Sequence, residues 1–383
     1  MPNKRIFYAC QGVSLNQCGV VPGPNPDQVV HGLQSVGMTT NFNLEQAFEL
    51  GQLEIYENIE GTPDIEVTLE KVLDGNPLLY HLATTGVFGG SKKLANRSKQ
   101  RTDLRLGIFD EGENALAKEV LGVLTGQEAQ VVVHCSGMYV SSVSYSIPTD
   151  GNCTESMTLV GNEKEWLTDV LDHKMEADDL LAFDSLDMPA SSGAGGVQRR
   201  EDVILVSSIL PEGIQGVNGA GAANGATTAD LGTAEPLVHL QSITISTDFS
   251  REEILELGRK VPYYRPANFP IEVSCEIEAI TTLGDYVGAS EKGNPSFDAD
   301  PVKVGNNTAE ETIFIHMRAG YAFDLGTKNR LSSVSYGGGD AGGGNVTTTY
   351  SYTNFNDLDV QHKSPDNLDV GFNYTNLGLG SNT

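Results

Sequence analysis

The 383 residues, 40.9 kDa, are enough to bury a core without metals or disulfide staples. With 39% hydrophobic residues, 43 Gly and 16 Pro, the composition is that of a loop-rich globular protein and excludes coiled coils, helical bundles and disordered chains. Acidic residues outnumber basic ones 51 to 24, a formal net charge of −27, so almost no counterions could be released from nucleic-acid phosphates and a DNA reader is disfavoured. There is no run of eighteen apolar residues, and Met1-Pro-Asn-Lys-Arg-Ile-Phe is followed by no hydrophobic stretch; the expectation is a chain made in the cytoplasm without a membrane anchor. The five cysteines (Cys10, Cys18, Cys135, Cys153, Cys275) lack CxxC spacing and read as free thiols.

The first informative element in chain order is also the first half of a repeat. LQSVGMTTNFNLEQAFELG (33–51) returns as LQSITISTDFSREEILELG (240–258), identical at nine of nineteen positions, where about one is expected by chance. Each copy begins with strand-like alternation, Ser35–Thr40 or Ser242–Thr247. Asn43 with Gln46, and Ser250 with Glu253, have capping-box spacing, and Gly51 and Gly258 stand where a helix would stop. The expected unit is therefore strand, two-turn helix, glycine stop, strand, with Ile65–Glu70 answered by Ile271–Glu276.

Gly89–Arg105 concentrates six of the 24 basic residues, Lys92, Lys93, Arg97, Lys99, Arg101 and Arg105, and is expected to form a loop contacting an acidic neighbouring subunit. Strand composition follows at Val131–His134, Tyr139–Ile147 and Thr154–Val160, with a turn at Asp150-Gly151. Asn162–Leu181 reads as a longer, solvated helix. In the second half, strands are expected at Val203–Ser207, Ile313–Phe323 and Val346–Tyr352, and Ser332-Ser333-Val334-Ser335-Tyr336 repeats Ser141-Ser142-Val143-Ser144-Tyr145. Segments 187–200, 213–235 and 337–345, rich in Gly and small or polar residues, read as long loops. The expected fold is mainly β, with two tandem similar sandwich or barrel domains, 1–195 and 196–383, each with a short flanking helix.

Chemistry is scarce along this chain. The seven histidines form no HExxH and no close pair, His134 and Cys135 would face opposite sides of a strand, and His316 lies in a strand-like run. Gly86–Lys93 lacks phosphate-loop spacing, and Asp178-Asp179 with Asp184 and Asp187 lacks an EF-hand pattern. Glu252-Glu253 could mimic a catalytic dyad, but their place in a capping box at a helix start explains them without catalysis. No catalytic residue, metal or cofactor is expected, and the chain is read as a non-enzyme.

Gln241–Gly258 with Pro262-Tyr263-Tyr264-Arg265-Pro266-Ala267-Asn268-Phe269-Pro270-Ile271-Glu272-Val273, and Tyr139–Gly151 with Thr154–Gly161, resemble tail tube proteins of tailed bacteriophages over about a third of the chain. The resemblance implies β domains whose sheets join into stacked rings, with an acidic lumen through which DNA slides unbound. It implies partners in copies of the same chain and other tail proteins, and a place in the virion. The common tube subunit carries one such domain; two per chain imply a trimer with pseudo-sixfold symmetry rather than a hexamer. The alternatives are a tail hub or terminator ring, and a carbohydrate-binding β-sandwich of a receptor-binding tail component, for which the single Trp166 is a poor stacking supply.

Overall fold

A computed structural model describes residues 6, 10–18, 28–51, 53–84, 94–109, 119–120, 123–124, 127–129, 131–167, 182–183, 196–204, 238–281, 287, 310–317, 320–337 and 344–362. In chain order the strands of the first half are β1 (Gln11–Gln17), β2 (Gln28–Val29), β3 (Leu33–Asn41), β4 (Leu44–Phe48), β5 (Ile55–Glu60), β6 (Asp64–Val72), β7 (Thr102–Ile108), β8 (Glu119–Val120), β9 (Val123–Leu124), β10 (Gln127–Glu128), β11 (Val131–Pro148), β12 (Thr154–Gly161), β13 (Glu163–Leu167) and β14 (Ala182–Phe183). Those of the second are β15 (Val203–Ile204), β16 (Val238–Asp248), β17 (Glu272–Thr281), β18 (Phe314–Met317), β19 (Tyr321–Asp324), β20 (Arg330–Gly337), β21 (Thr347–Phe355) and β22 (Asp359–His362). Two short helices, α1 (Leu79–Thr84) and α2 (Leu94–Arg97), precede β7. The fold is mainly β with antiparallel sheets, as composition and alternation predict.

The principal sheet contains the series β3-β6-β12-β11 followed without a break by β16-β17-β21-β20. These two quartets have the same internal order: the LQS strand, the strand after it, the strand nearer the half's end, and the SSVSY strand. They also bulge at matching places, at Gln34 and Gln241 on the LQS strands and at Ser141 and Ser332 on the SSVSY strands. A bulge leaves one residue unpaired and bends its strand, so finding both in both quartets anchors one against the other. The ladders place Glu70 and Glu278 opposite Ser35 and Ser242, two residues from the match of Glu70 to Glu276 expected from sequence.

The second layer repeats as well. The first part of β11 pairs with β7 and β13, and β7 with β1; β15-β18-β19-β22 is the corresponding series in the second half. Gly137, at φ 65°, lies where β11 shifts register between Cys135 and Met138, a left-handed conformation that suits glycine and lets one strand serve two layers. Between the layers one core cluster takes side chains from both halves, including Leu69, Tyr145, Met157, Ile245, Ile277, Phe323, Tyr350 and Val360. Strict alternation accounts for it: Ile65, Val67 and Leu69 point inward while Glu66, Thr68 and Glu70 point out.

Three expectations are corrected. Residues 43–51 and 250–258 hold no helix: β4 and β5 form a hairpin, and 250–266 is an irregular arm closed by an Ile254–Tyr264 bridge. The reason is local, since Asn43 and Ser250 have φ of 47° and 43° and their N–H groups donate to Asn41 Oδ1 (3.2 Å) and Asp248 Oδ1 (2.7 Å). These turns put both residues outside the backbone geometry of an N-cap. Glu163–Leu167, expected as helix, pairs with β11 as a strand, and the remainder of that segment lies outside the described residues. Ile313–Phe323, expected as one strand, is two, turning at Gly320. The cysteines are free, four of them buried.

Candidate assembly surfaces

Of the six basic residues expected to face a neighbour, two are placed elsewhere. Arg97 is buried, its Nη1 donating to Thr84 Oγ1 (3.0 Å) and its guanidinium 5.6 Å above the Tyr80 ring, while Arg105 is buried within β7. Burial within the chain removes both as contact residues. Lys99 and Arg101 are exposed, and Lys92 and Lys93 lie outside the described residues. Gly51 and Gly258 are exposed turn residues with φ of 94° and 86°. The Gly86–Lys93, Asp178-Asp179, Asp184, Asp187 and 213–235 segments also lie outside the described residues. His134 and Cys135 occupy successive positions of β11, and His316 is buried in β18. Among the described residues no three His, Cys, Asp or Glu side chains converge as a metal site.

What the fold does build is a surface with two chemically distinct sides. The outward positions carry Glu66, Thr68 and Glu70 on β6, Ser142, Ser144 and Ser146 on β11, and Ser156 and Thr158 on β12. They continue with Ser242, Thr244 and Ser246 on β16, Glu272, Ser274, Glu276 and Glu278 on β17, and Thr349, Ser351 and Thr353 on β21. None of these positions is Lys or Arg. Hydroxyls tie the strands together, Ser246 Oγ to Ser274 Oγ at 2.7 Å, and Ser35 to Glu70 (3.3 Å) as Ser242 to Glu278 (3.2 Å). Arg330 at the start of β20, opposite Thr353 and ion-paired with Glu310, is the one Lys or Arg on this face among the described strand-paired positions, so the face is wet and predominantly anionic and disfavours a phosphate.

Each LQS strand leads into an arm that carries apolar side chains into solvent. On the β4–β5 hairpin Leu44, Phe48, Leu50, Leu53 and Tyr56 are exposed, and on the second arm Leu255, Leu257 and Tyr263. Large side chains exposed in a cluster mark contact surfaces. The second arm is docked on the first half. Arg251 Nε donates to the Val140 carbonyl (2.9 Å) beneath a guanidinium lying 5.1 Å from the Tyr139 ring, and Tyr264 meets Tyr139 edge-on. Arg265 bridges Asp64 Oδ1 (2.7 Å) and Glu253. Glu253 is thus an ion-pair partner rather than a helix residue or half of a catalytic dyad. Burial pushes the Asp64 carboxyl up, but hydrogen bonds from Asn43 and Arg265 outweigh it and hold the group below its usual range. Arg265→Ala is expected to cost about 1–3 kcal/mol, given the partial exposure of both acids, and to speed hydrogen exchange selectively at the Ile254 and Tyr263 amides, which donate across the arm. Unchanged protection there would show that the arm does not depend on this bridge.

Beneath α1 sits Glu155, the one fully buried carboxylate among the described residues, which the sequence did not single out. Glu155 accepts from Leu79 N (2.7 Å), Tyr80 N (3.1 Å) and Tyr145 Oη (3.2 Å), and faces Lys71 across the β6–β12 ladder. Burial pushes its pKa up to about 6 against those hydrogen bonds. Lys71 Nζ donates to the His31 carbonyl (2.5 Å) and pairs with Asp74 (2.7 Å). Glu155 closes the start of a helix across the core and is structural. Its signal was available as a lone acid at an inward position of an alternating strand.

No protein family matches the chain, and no curated protein matches it. Among solved structures it is similar to a chain of the tube-terminating cap of the anti-feeding prophage, at 15% identity and a TM-score of 0.28, over 43% of this chain and 92% of that one. It is also similar to a chain of the extended sheath–tube complex of an extracellular contractile injection system, at 13% and 0.30, over 44% and 95%. A chain of the anti-feeding prophage baseplate gives 12% and 0.29, over 43% and 95%. Likenesses at these TM-scores assign neither fold nor function to the chain.

Proposed function

We propose that the chain is a structural subunit of a phage-type tail that self-assembles into rings stacked as a tail tube, performs no chemistry, and provides a conduit for DNA. The observation that carries this is the outward face of the eight-strand series β3-β6-β12-β11-β16-β17-β21-β20, where hydroxyls and carboxylates predominate and Arg330, at the start of β20, is the face's single Lys or Arg among the described strand-paired positions. Turned inward around a bore, such a face repels phosphates and lets a duplex slide without binding. Glu66, Glu70, Glu272, Glu276 and Glu278 are the lumen acids on this proposal.

The two halves, 1–195 and 196–383, then act as two copies of one tube domain, so three chains complete a pseudo-sixfold ring. Lys99 and Arg101 remain as proposed contacts to the acidic surface of the next ring, and the apolar arms as contacts to other subunits or tail proteins. Electron microscopy of the purified protein tests the whole. Tubes of stacked rings with threefold order and six tube domains around the bore are expected. Six chains per ring would defeat the trimer, single unstacked rings would favour a hub or terminator, and persistent monomers would defeat the tube.

A further inference from the structure

The chain contains its own template for how a neighbour attaches. The seam between the quartets joins the SSVSY strand β11 to the LQS strand β16, from Ser142 opposite Asp248 to Pro148 opposite Ser242. Among the described residues the series ends on the same two strand types, because β3 pairs with β6 alone and β20 with β21 alone. Unpaired edges of folded proteins are normally protected by Lys, Pro or inward charges. Ser35–Asn41 contains no Lys, Arg, Asp, Glu or Pro, and β20 carries a single one of these, Arg330 at its first position, ahead of the bulge and outside Ser333–Gly337.

Burial tells the same story from the other side. Tyr145 is fully buried at the internal seam, and Tyr336, its counterpart by the shared bulge, is 52% exposed. Ile245 is fully buried, and its counterpart Met38 only partly so. Side chains suited to a core are thus held at an open edge.

We propose that β20 of one chain pairs antiparallel with β3 of a second copy in the register of the internal seam. Carried over residue by residue, that register puts Ser333 opposite Asn41, Val334 opposite Thr40, Ser335 opposite Thr39, Tyr336 opposite Met38 and Gly337 opposite Gly37. Tyr336 and Met38 then enter the core layer as Tyr145 and Ile245 do, while Ser335 and Thr39 continue the hydroxyl face as Ser144 and Ser246 do. The pairing is heterologous, head to tail, so it builds the proposed ring where the rotation between chains closes, and not a twofold dimer. It specifies the partner in the ring proposed above and rests on that proposal.

The two seams differ in one respect. Leu44 occupies the place of Arg251, so the first arm lacks the guanidinium that clamps the second arm to Val140. Arg330 takes the place of Tyr139 beneath the neighbour's arm, which carries Glu45, Glu49, Glu54, Glu57 and Glu60. The seam between chains therefore exchanges a buried clamp for exposed charges, which salt weakens, and rings are expected to dissociate at high salt while the internal seam holds.

Cysteine pairing tests the register, since opposed residues of an antiparallel pair lie about 4.5–5.5 Å apart at Cα, within disulfide range. Full-length Ser335→Cys and Thr39→Cys chains are mixed and oxidised, with Ser144→Cys/Ser246→Cys in one chain as the internal reference and the parent chain as the background for native thiols. The expected result is a covalent heterodimer at least tenfold above that from Ser333→Cys with Thr39→Cys, and loss of the product in high salt. Homodimers of either single variant, or a better yield from the shifted pair, overturn the seam. Rings by microscopy with no Ser335–Thr39 product overturn the seam but leave the ring standing. Monomers by light scattering with no product overturn both.

Discussion

Replacing Glu155 by alanine is expected to cost about 3–5 kcal/mol of folding stability, because a buried ionic network loses one member and leaves the others unpaired. Leu79 N, Tyr80 N and Tyr145 Oη would all lose their acceptor in a fully buried site. Urea denaturation measures the loss, and a cost below about 1 kcal/mol would show that water or a neighbouring group replaces the carboxylate. The pH dependence separates charge from shape. Glu155 holds its proton more tightly in the folded chain, at about 6 against an ordinary 4.5. Its contribution is therefore full below about 4.5 and declines as pH rises through 6, by about 2 kcal/mol. His362 acts in the opposite sense. Burial, opposed by its hydrogen bond to the Gly75 carbonyl, pulls it down to about 4, so its stabilisation is full above 6.5 and is lost as pH falls towards 4. The two slopes oppose one another between 4.5 and 6. Glu155→Gln is expected to leave the histidine slope uncovered, so that acidification from 6 to 4.5 destabilises the variant more steeply than the parent.

Tyr336→Asp should abolish assembly while leaving the chain folded. Its side chain is half exposed on the open edge of β20, where a surface substitution changes stability by about 0.5 kcal/mol or less. Across a closed seam the same carboxylate would be buried beside Met38 without a partner, and an unpaired buried charge is strongly unfavourable. The concentration needed for ring formation is expected to rise at least about 100-fold, equivalent to about 2.7 kcal/mol. Sedimentation of variant and parent over a concentration series reads this directly, with thermal melting as the check on folding. Assembly at the parent's concentration would remove β20 from the interface. Tyr145→Asp is the internal comparison and should unfold the chain, since that tyrosine is fully buried 4.5 Å from the Phe323 ring.

The strand class, the alternation that separates dry from wet face, and the repeat were all legible in the amino-acid order, because each depends on side chains two residues apart or on copying of a segment. The arms were not. Asn43-Leu44-Glu45-Gln46 and Ser250-Arg251-Glu252-Glu253 satisfy capping-box spacing locally, but Asn41 and Asp248 capture the backbone N–H two residues on, and cross-strand partners at 55–60 complete the first arm as a hairpin. The basic cluster was misleading for a related reason. Proximity along the chain does not reveal direction, and Arg97 turned to Tyr80 and Thr84 while Arg105 joined a sheet. Strand register was beyond reach for a different one. A slip of two residues keeps every side chain on its own face, so the hydrophobic pattern accepts Glu276 or Glu278 as the counterpart of Glu70 equally well. Only the ladder beyond the Gln34 and Gln241 bulges, with its hydrogen bonds from Ser35 and Ser242, chose Glu278.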